Sequence, residues 1–217
     1  MRFSEDTPTA EEKEKEKLEE GERIIFAPPE TKLRTVGIMG EINEEGGAEI
    51  VFGLLSLHNS AVHYEPVDVE DEESEMKEVI MPIDMVISTP GGNADDMFAI
   101  YDTMRMIRED VPIRTRGIGK VMSAGVVLLA AGTKGERSIG KNCRVMVHSV
   151  IGGHVGPMHQ LDNEMEEIRN IQDQYISVLA EETKMTKRYL RNLLKKKVNI
   201  YLSATEAVEL GIVDKIF

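Results

Sequence analysis

Lys120-Val121-Met122-Ser123-Ala124-Gly125-Val126-Val127-Leu128-Leu129-Ala130-Ala131-Gly132 sets one hydroxyl in a run of apolar and small residues. The run reads as a turn that delivers Ser123 to the first turn of a buried, small-residue helix stopped by Gly132. Unpaired N–H groups at a helix start stabilise negative charge, so an acyl-transfer nucleophile belongs there. By itself Ser123 is an ordinary helix-capping residue. A serine hydroxyl becomes a nucleophile only when a general base takes its proton. A candidate follows: Cys143-Arg144-Val145-Met146-Val147-His148 reads as a buried strand ending in histidine.

Working outward, Ile83-Asp84-Met85-Val86-Ile87-Ser88 reads as a central strand running into Thr89-Pro90-Gly91-Gly92, a tight turn whose glycines permit close backbone approach. A helix follows, with Met97, Ile100, Tyr101, Met104 and Ile107 at helical spacing, then a strand around Ile113. Upstream, Thr35 to Gly40 reads as a strand and turn, and Asn43 caps a helix carrying Ile50, Val51, Leu54, Leu55 and Leu57 and ending near His58-Asn59. Downstream, a long amphipathic helix spans about 158–182, with a narrow stripe that includes Met165, Ile168, Ile171 and Tyr175 on a strongly charged rod. Met185 to Leu194 reads as another helix and Val198 to Tyr201 as a short strand. Ser203-Ala204-Thr205-Glu206 is a capping box opening a helix that Gly211 stops, and Ile212-Val213-Asp214 is expected to close the chain as a strand. Strands alternating with helices predict α/β layers.

Two stretches are too charged for a core. Residues 1–33 read as a mobile arm ahead of a single domain over 34–217, and the acidic stretch 63–79 as a surface excursion from that domain. The 217 residues suffice for one sizeable core. A net charge of −13 argues against a nucleic-acid partner, which needs clustered Lys and Arg. The lone Cys143 forms no internal disulfide and suits a reducing compartment. No run is long and apolar enough to span a membrane, and the first residues lack the apolar core of a signal peptide; a cytoplasmic protein is expected.

Acyl transfer also needs donors for the developing oxyanion and a group that orients the base. Backbone N–H groups of the Gly91-Gly92 turn and of Ala124 suit the first role. For the second, Asp214 is the one acid at an obvious strand end near the chain's close, and Asn199 lies on the short strand before the last helix.

Ser88-Thr89-Pro90-Gly91-Gly92, Ile100-Tyr101-Asp102-Thr103-Met104, Met122 to Arg137, Arg144-Val145-Met146-Val147-His148, Ile151-Gly152-Gly153 and Leu202 to Asp214, taken in order, resemble ClpP, the proteolytic subunit of the ATP-dependent Clp protease, over about residues 34–217. The resemblance implies a ClpP/crotonase-like layered α/β fold with a protruding handle helix at 158–182. It implies Ser123 as nucleophile, His148 as base, Gly92 and Ala124 as oxyanion donors, and Gly91, Ala94 and Ile151 along the groove where an extended peptide adds as a strand. It further implies unfolded polypeptide substrates, seven-membered rings stacked in pairs around a chamber, an AAA+ unfoldase partner, and neither cofactor nor metal.

The chain departs from the family in particular places. Asn199 stands where the triad aspartate is expected; its amide oxygen accepts a bond from imidazole but lends no charge, and in a serine protease such an Asp→Asn change costs about 10⁴ in rate. Lys197-Val198 replaces the usual acidic and basic pair that couples the rings. Two extra residues separate Gly117 from Ser123, and 63–79 is an insertion. Three readings follow: a peptidase weakened by Asn199, a non-catalytic ring subunit, or a crotonase-type enzyme acting on acyl-CoA. Other motifs fall short. In Gly135-Glu136-Arg137-Ser138-Ile139-Gly140-Lys141-Asn142, Asn142 replaces the hydroxyl a phosphate loop needs. His154 and His159 have no carboxylate placed with them as a metal site requires. Lys120 precedes Ser123 on the same turn and is read as pointing to solvent.

Overall fold

The computed structural model describes residues 33–68, 74–196 and 198–217, of which 34–217 cluster as one unit. The arm read over 1–33, apart from Leu33, and the departure read at Lys197 lie outside the described residues.

Strand β1 (Thr35–Met39) leads through a turn to helix α1 (Glu44–Asn59), whose N-cap Asn43 accepts the Gly46 N–H on its side chain, as the sequence predicts. Within the acidic stretch, β2 (Val62–Pro66) and β3 (Met76–Ile80) pair antiparallel, separate from the main sheet; residues 69–73 are outside the described set. Strand β4 (Ile83–Thr89) buries Ile83, Met85, Ile87 and Thr89 on alternate positions. After it come α2 (Ala94–Ile107), β5 (Ile113–Met122), α3 (Ala124–Ala130), β6 (Ser138–Ile139) and β7 (Arg144–Val147). The chain ends with α4 (Met158–Glu182), α5 (Lys187–Leu194), β8 (Ile200–Leu202), α6 (Ala204–Glu209) and β9 (Lys215–Ile216).

Seven strands form one mostly parallel sheet in the order β1-β4-β5-β6-β9, with β7 pairing β5 and β8 pairing β7 antiparallel. The layered α/β architecture expected of a ClpP-like chain is the one observed. Helices α1 and α2 pack on one another, and α3 lies against β5 with all seven of its residues buried. Its composition follows from that position: a Cβ on Gly125 would come within 2.3 Å of Thr89 Cγ2, so the helix sits too close to β4 for any side chain there.

The helix carrying Met97 to Ile107 follows the glycine turn as read, starting at Ala94, because Asn93 caps it by accepting from the Asp95 and Asp96 N–H groups. Some boundaries differ from the sequence reading. The helix expected from Met185 begins at Lys187, where Thr186 accepts from Tyr189 N. The terminal strand is not Ile212–Asp214 but Lys215–Ile216: Ile212 and Val213 are buried, and the Asp214 carboxylate is engaged by Arg137. The register between β4 and β5 shifts just before Ser123, at a bulge in β5. Ile87 pairs with Gly117 but Thr89 with Val121, so β5 advances four residues while β4 advances two. The capping box at Ser203 and Glu206 is present with both reciprocal bonds. Helix α4 keeps the expected span, but its buried residues are Tyr175, Ile176, Leu179 and Glu182, all in its second half, and Met158 and Met165 are exposed.

Candidate active site

The sheet brings Ser123 and His148 together through register. Strands β5 and β7 run parallel with Met122 opposite Met146, and the Ser123 N–H continues the ladder by donating to Met146 O at 2.8 Å. Ser123 and His148 therefore leave the carboxyl ends of adjacent strands one residue apart in register, the edge where open α/β sheets place ligands. Both line one cleft of about 430 Å³, together with Gly92, Ala94, Ala124 and Ile151.

Ser123 is held in a conformation that L-residues rarely adopt, φ 53° and ψ −122°, and is the one non-glycine with positive φ among the described residues. Such a geometry costs about 1–3 kcal/mol and persists only where surrounding contacts impose it. Here they are the ladder bond at its N–H and the Tyr175 hydroxyl, which donates to Ser123 O at 3.3 Å. A strained serine between strand and helix is the arrangement that exposes a nucleophile in hydrolases.

The Thr89–Gly92 turn is built against this serine. Gly91, at φ 102°, packs so closely that a Cβ there would lie 2.6 Å from Ser123 Cβ, and its N–H donates to the buried Thr89 Oγ1 at 3.0 Å. At Gly92 a Cβ would fall 2.0 Å from Ile42 O. This follows from an isolated parallel bridge in which Ile42 N–H donates to Gly91 O and Asn93 N–H donates to Ile42 O. The bridge engages the residues on either side and leaves the Gly92 N–H without an acceptor among the described residues. The Ala124 N–H, first in α3, likewise has none among the described residues. Two unpaired main-chain donors thus flank the cleft that holds Ser123.

His148 is half-buried, and its Nδ1 lies 2.5 Å from Ser149 O. A carbonyl oxygen only accepts, so this contact puts the ring proton on Nδ1 and the lone pair on Nε2. No hydrogen bond joins Ser123 Oγ to the imidazole in this structure. Asn199 is placed by β8: Val145 pairs with Leu202 and Val147 with Ile200, and one further step sets Asn199 opposite His148. The two share the lining of a smaller cavity of about 220 Å³ without a hydrogen bond between them, and Asn199 is exposed. Asp214, the acid weighed for this role, binds Arg137 through both carboxylate oxygens, at 2.6 and 2.9 Å, and does not line either cavity. Burial alone would raise its carboxyl, but the Arg137 bonds outweigh that and hold it down at about 2.

Ile168, Ile171 and Tyr175, read from sequence as a packing stripe, also line the cleft, as do Glu41 and Val150. Their helical spacing signalled an apolar face but not what that face meets. The Ser149 carbonyl left no signal at all, since every residue carries one. No helix among the described residues is long and apolar enough to cross a membrane. The sequence model of the family described as Clp protease matches residues 73–217, which takes in Ser123, His148 and Asn199 together with the Pro90-Gly91-Gly92 turn. The chain belongs to the Clp protease family, and with it to the serine peptidases.

Proposed function

We propose that this chain is a ClpP-type serine endopeptidase that hydrolyses unfolded polypeptides. The observation that carries the reading is the convergence of Ser123 and His148, from the ends of adjacent parallel strands, in one cleft with the unpaired N–H groups of Gly92 and Ala124. In this reading His148 Nε2 takes the Ser123 Oγ proton as Oγ attacks the scissile carbonyl carbon. The negative charge that develops on the carbonyl oxygen is met by Gly92 and Ala124 N–H. Collapse breaks the C–N bond, the leaving amine takes its proton from His148, and water repeats the sequence to release the acyl group. The substrate backbone adds as a strand along Gly91, Ala94 and Ile151. Asn199 occupies the aspartate's place opposite His148. Being neutral, it lends the imidazolium no charge, and hydrolysis is correspondingly slow.

Assembly belongs to the same proposal. The family's architecture supports seven-membered rings stacked in pairs, with α4 as the handle between them and an AAA+ unfoldase feeding the chamber. The exposed Met158 and Met165 on the free half of α4 support that use of the helix. The absence of a membrane-crossing helix among the described residues and a single cysteine support a cytoplasmic setting. Fluorogenic peptides tested with the purified chain should be cleaved slowly by the wild type and not by Ser123→Ala. A second reading, a non-catalytic ring subunit, is favoured by the missing Ser123–His148 hydrogen bond and by neutral Asn199. Rings that assemble yet show equal hydrolysis with and without Ser123 would select that second reading.

A further inference from the structure

Among the described residues no carboxylate hydrogen-bonds the His148 ring, whose partner is the Ser149 carbonyl, and we infer that Ser149 is the positioning residue that holds the ring in its base-competent state. This inference rests on the peptidase reading above. Its main-chain carbonyl accepts from His148 Nδ1–H at 2.5 Å, which keeps the lone pair on Nε2. A carbonyl performs this task only if it is itself fixed, and two helices fix it. The Ser149 Oγ–H donates to Leu194 O at 2.8 Å, and Leu194 is the last residue of α5, where carbonyls lack an intrahelical donor. The next amide, Val150 N–H, donates to Gln172 Oε1 on α4 at 2.8 Å. The Ser149–Val150 segment is therefore anchored on both sides of the peptide that His148 uses. The side chain satisfies a helix end and the main chain sets a tautomer.

The division of labour differs from that of a carboxylate. An acid opposite His148 would orient the ring and stabilise its charge together; the Ser149 carbonyl orients without charge. Orientation then belongs to Ser149, while charge stabilisation is what the neutral Asn199 leaves missing.

The test reads the tautomer directly and does not depend on turnover. With 15N-histidine incorporated in the full chain and the His148 resonance assigned by His148→Gln, the wild type should show the Nδ1-protonated form with a slowly exchanging Nδ1 proton. In Ser149→Ala that proton should exchange about fivefold faster, the effect of losing one neutral hydrogen bond, and kcat should fall by a similar factor with KM unchanged. Ser149→Thr keeps a hydroxyl and should restore both, and Asn199→Ala should move neither the tautomer nor the exchange. A wild-type His148 protonated on Nε2, or exchange that is unchanged in Ser149→Ala but accelerated in Asn199→Ala, would overturn the assignment. Nδ1 protonation in a chain without Ser123-dependent hydrolysis would defeat the peptidase reading and leave the positioning role standing.

Discussion

Glu182 is expected to be the most sensitive single position for stability. It ends α4 with 1% exposure, and its carboxylate receives Arg108 through both terminal nitrogens at 2.7 and 3.0 Å, Arg105 and Lys134 at 3.0 Å, and the Tyr101 hydroxyl at 3.1 Å. Its main-chain oxygen accepts from Arg137 at 2.7 Å and from Lys134. One residue thus ties α2, α4 and the 132–137 loop together. Burial would raise this carboxyl; the bonds from Arg108, Lys134 and Arg105 outweigh it and hold the group at about 2 against an ordinary 4.5. That difference corresponds to about 3 kcal/mol of stability at neutral pH. The unfolded chain takes up its proton first as pH falls through 4.5, so the contribution is complete above that pH and is lost as pH falls toward 2.

Glu182→Gln leaves Arg108 and Lys134 without the carboxylate they share and Arg105 with only the more distant Glu181 at 4.0 Å, and should cost about 3–5 kcal/mol at pH 7. Urea unfolding at fixed protein concentration, at pH 7 and pH 3, measures both effects. Asp214, also held at about 2, titrates in the same window in both proteins, so the wild-type minus variant difference isolates Glu182. That difference should shrink by about 2 kcal/mol between pH 7 and pH 3. A variant within about 1 kcal/mol of wild type at pH 7, or a difference independent of pH, would refute the reasoning.

Gly92→Ala places a Cβ 2.0 Å from Ile42 O, a backbone atom that cannot step aside without breaking the Ile42–Gly92 bridge. Loss of one oxyanion donor should lower kcat about 10²–10³-fold, measured with a fluorogenic peptide on variant protein shown by circular dichroism to be folded; an unchanged kcat would remove Gly92 from the site. Asn199→Asp should raise peptide hydrolysis, because the register sets position 199 opposite His148 and the change supplies the missing charge. A rate equal to or below that of wild type would take Asn199 out of the constellation.

Much of this was legible in the sequence wherever one residue's chemistry decides the local structure. Asn43 and Ser203 announce their helices as caps, the period of α4 gives its span, Ser123 stands out as a hydroxyl within an apolar run and His148 as the polar end of another. What pairing decides was not legible. The opposition of Asn199 and His148 comes from an antiparallel register between β7 and β8, and the bulge just before Ser123 exists only against β4. Helical spacing puts Glu182, three residues past Leu179, on the buried face and Glu181 off it, but nothing in the sequence shows that three cations, Arg105 and Arg108 at the end of α2 and Lys134 in the 132–137 loop, meet Glu182 there. The expected strand at Ile212–Asp214 failed for the same reason: Arg137, distant in sequence, engages Asp214, and β9 starts at the next residue.

Acylation of Ser123 by a fluorophosphonate, located by peptide mass mapping of the full chain, tests the central claim most directly. The account predicts a single adduct on Ser123 in wild type, its absence in Ser123→Ala, and slow formation in His148→Ala. A folded wild-type chain that stays unlabelled, or an adduct on a different residue, would contradict it.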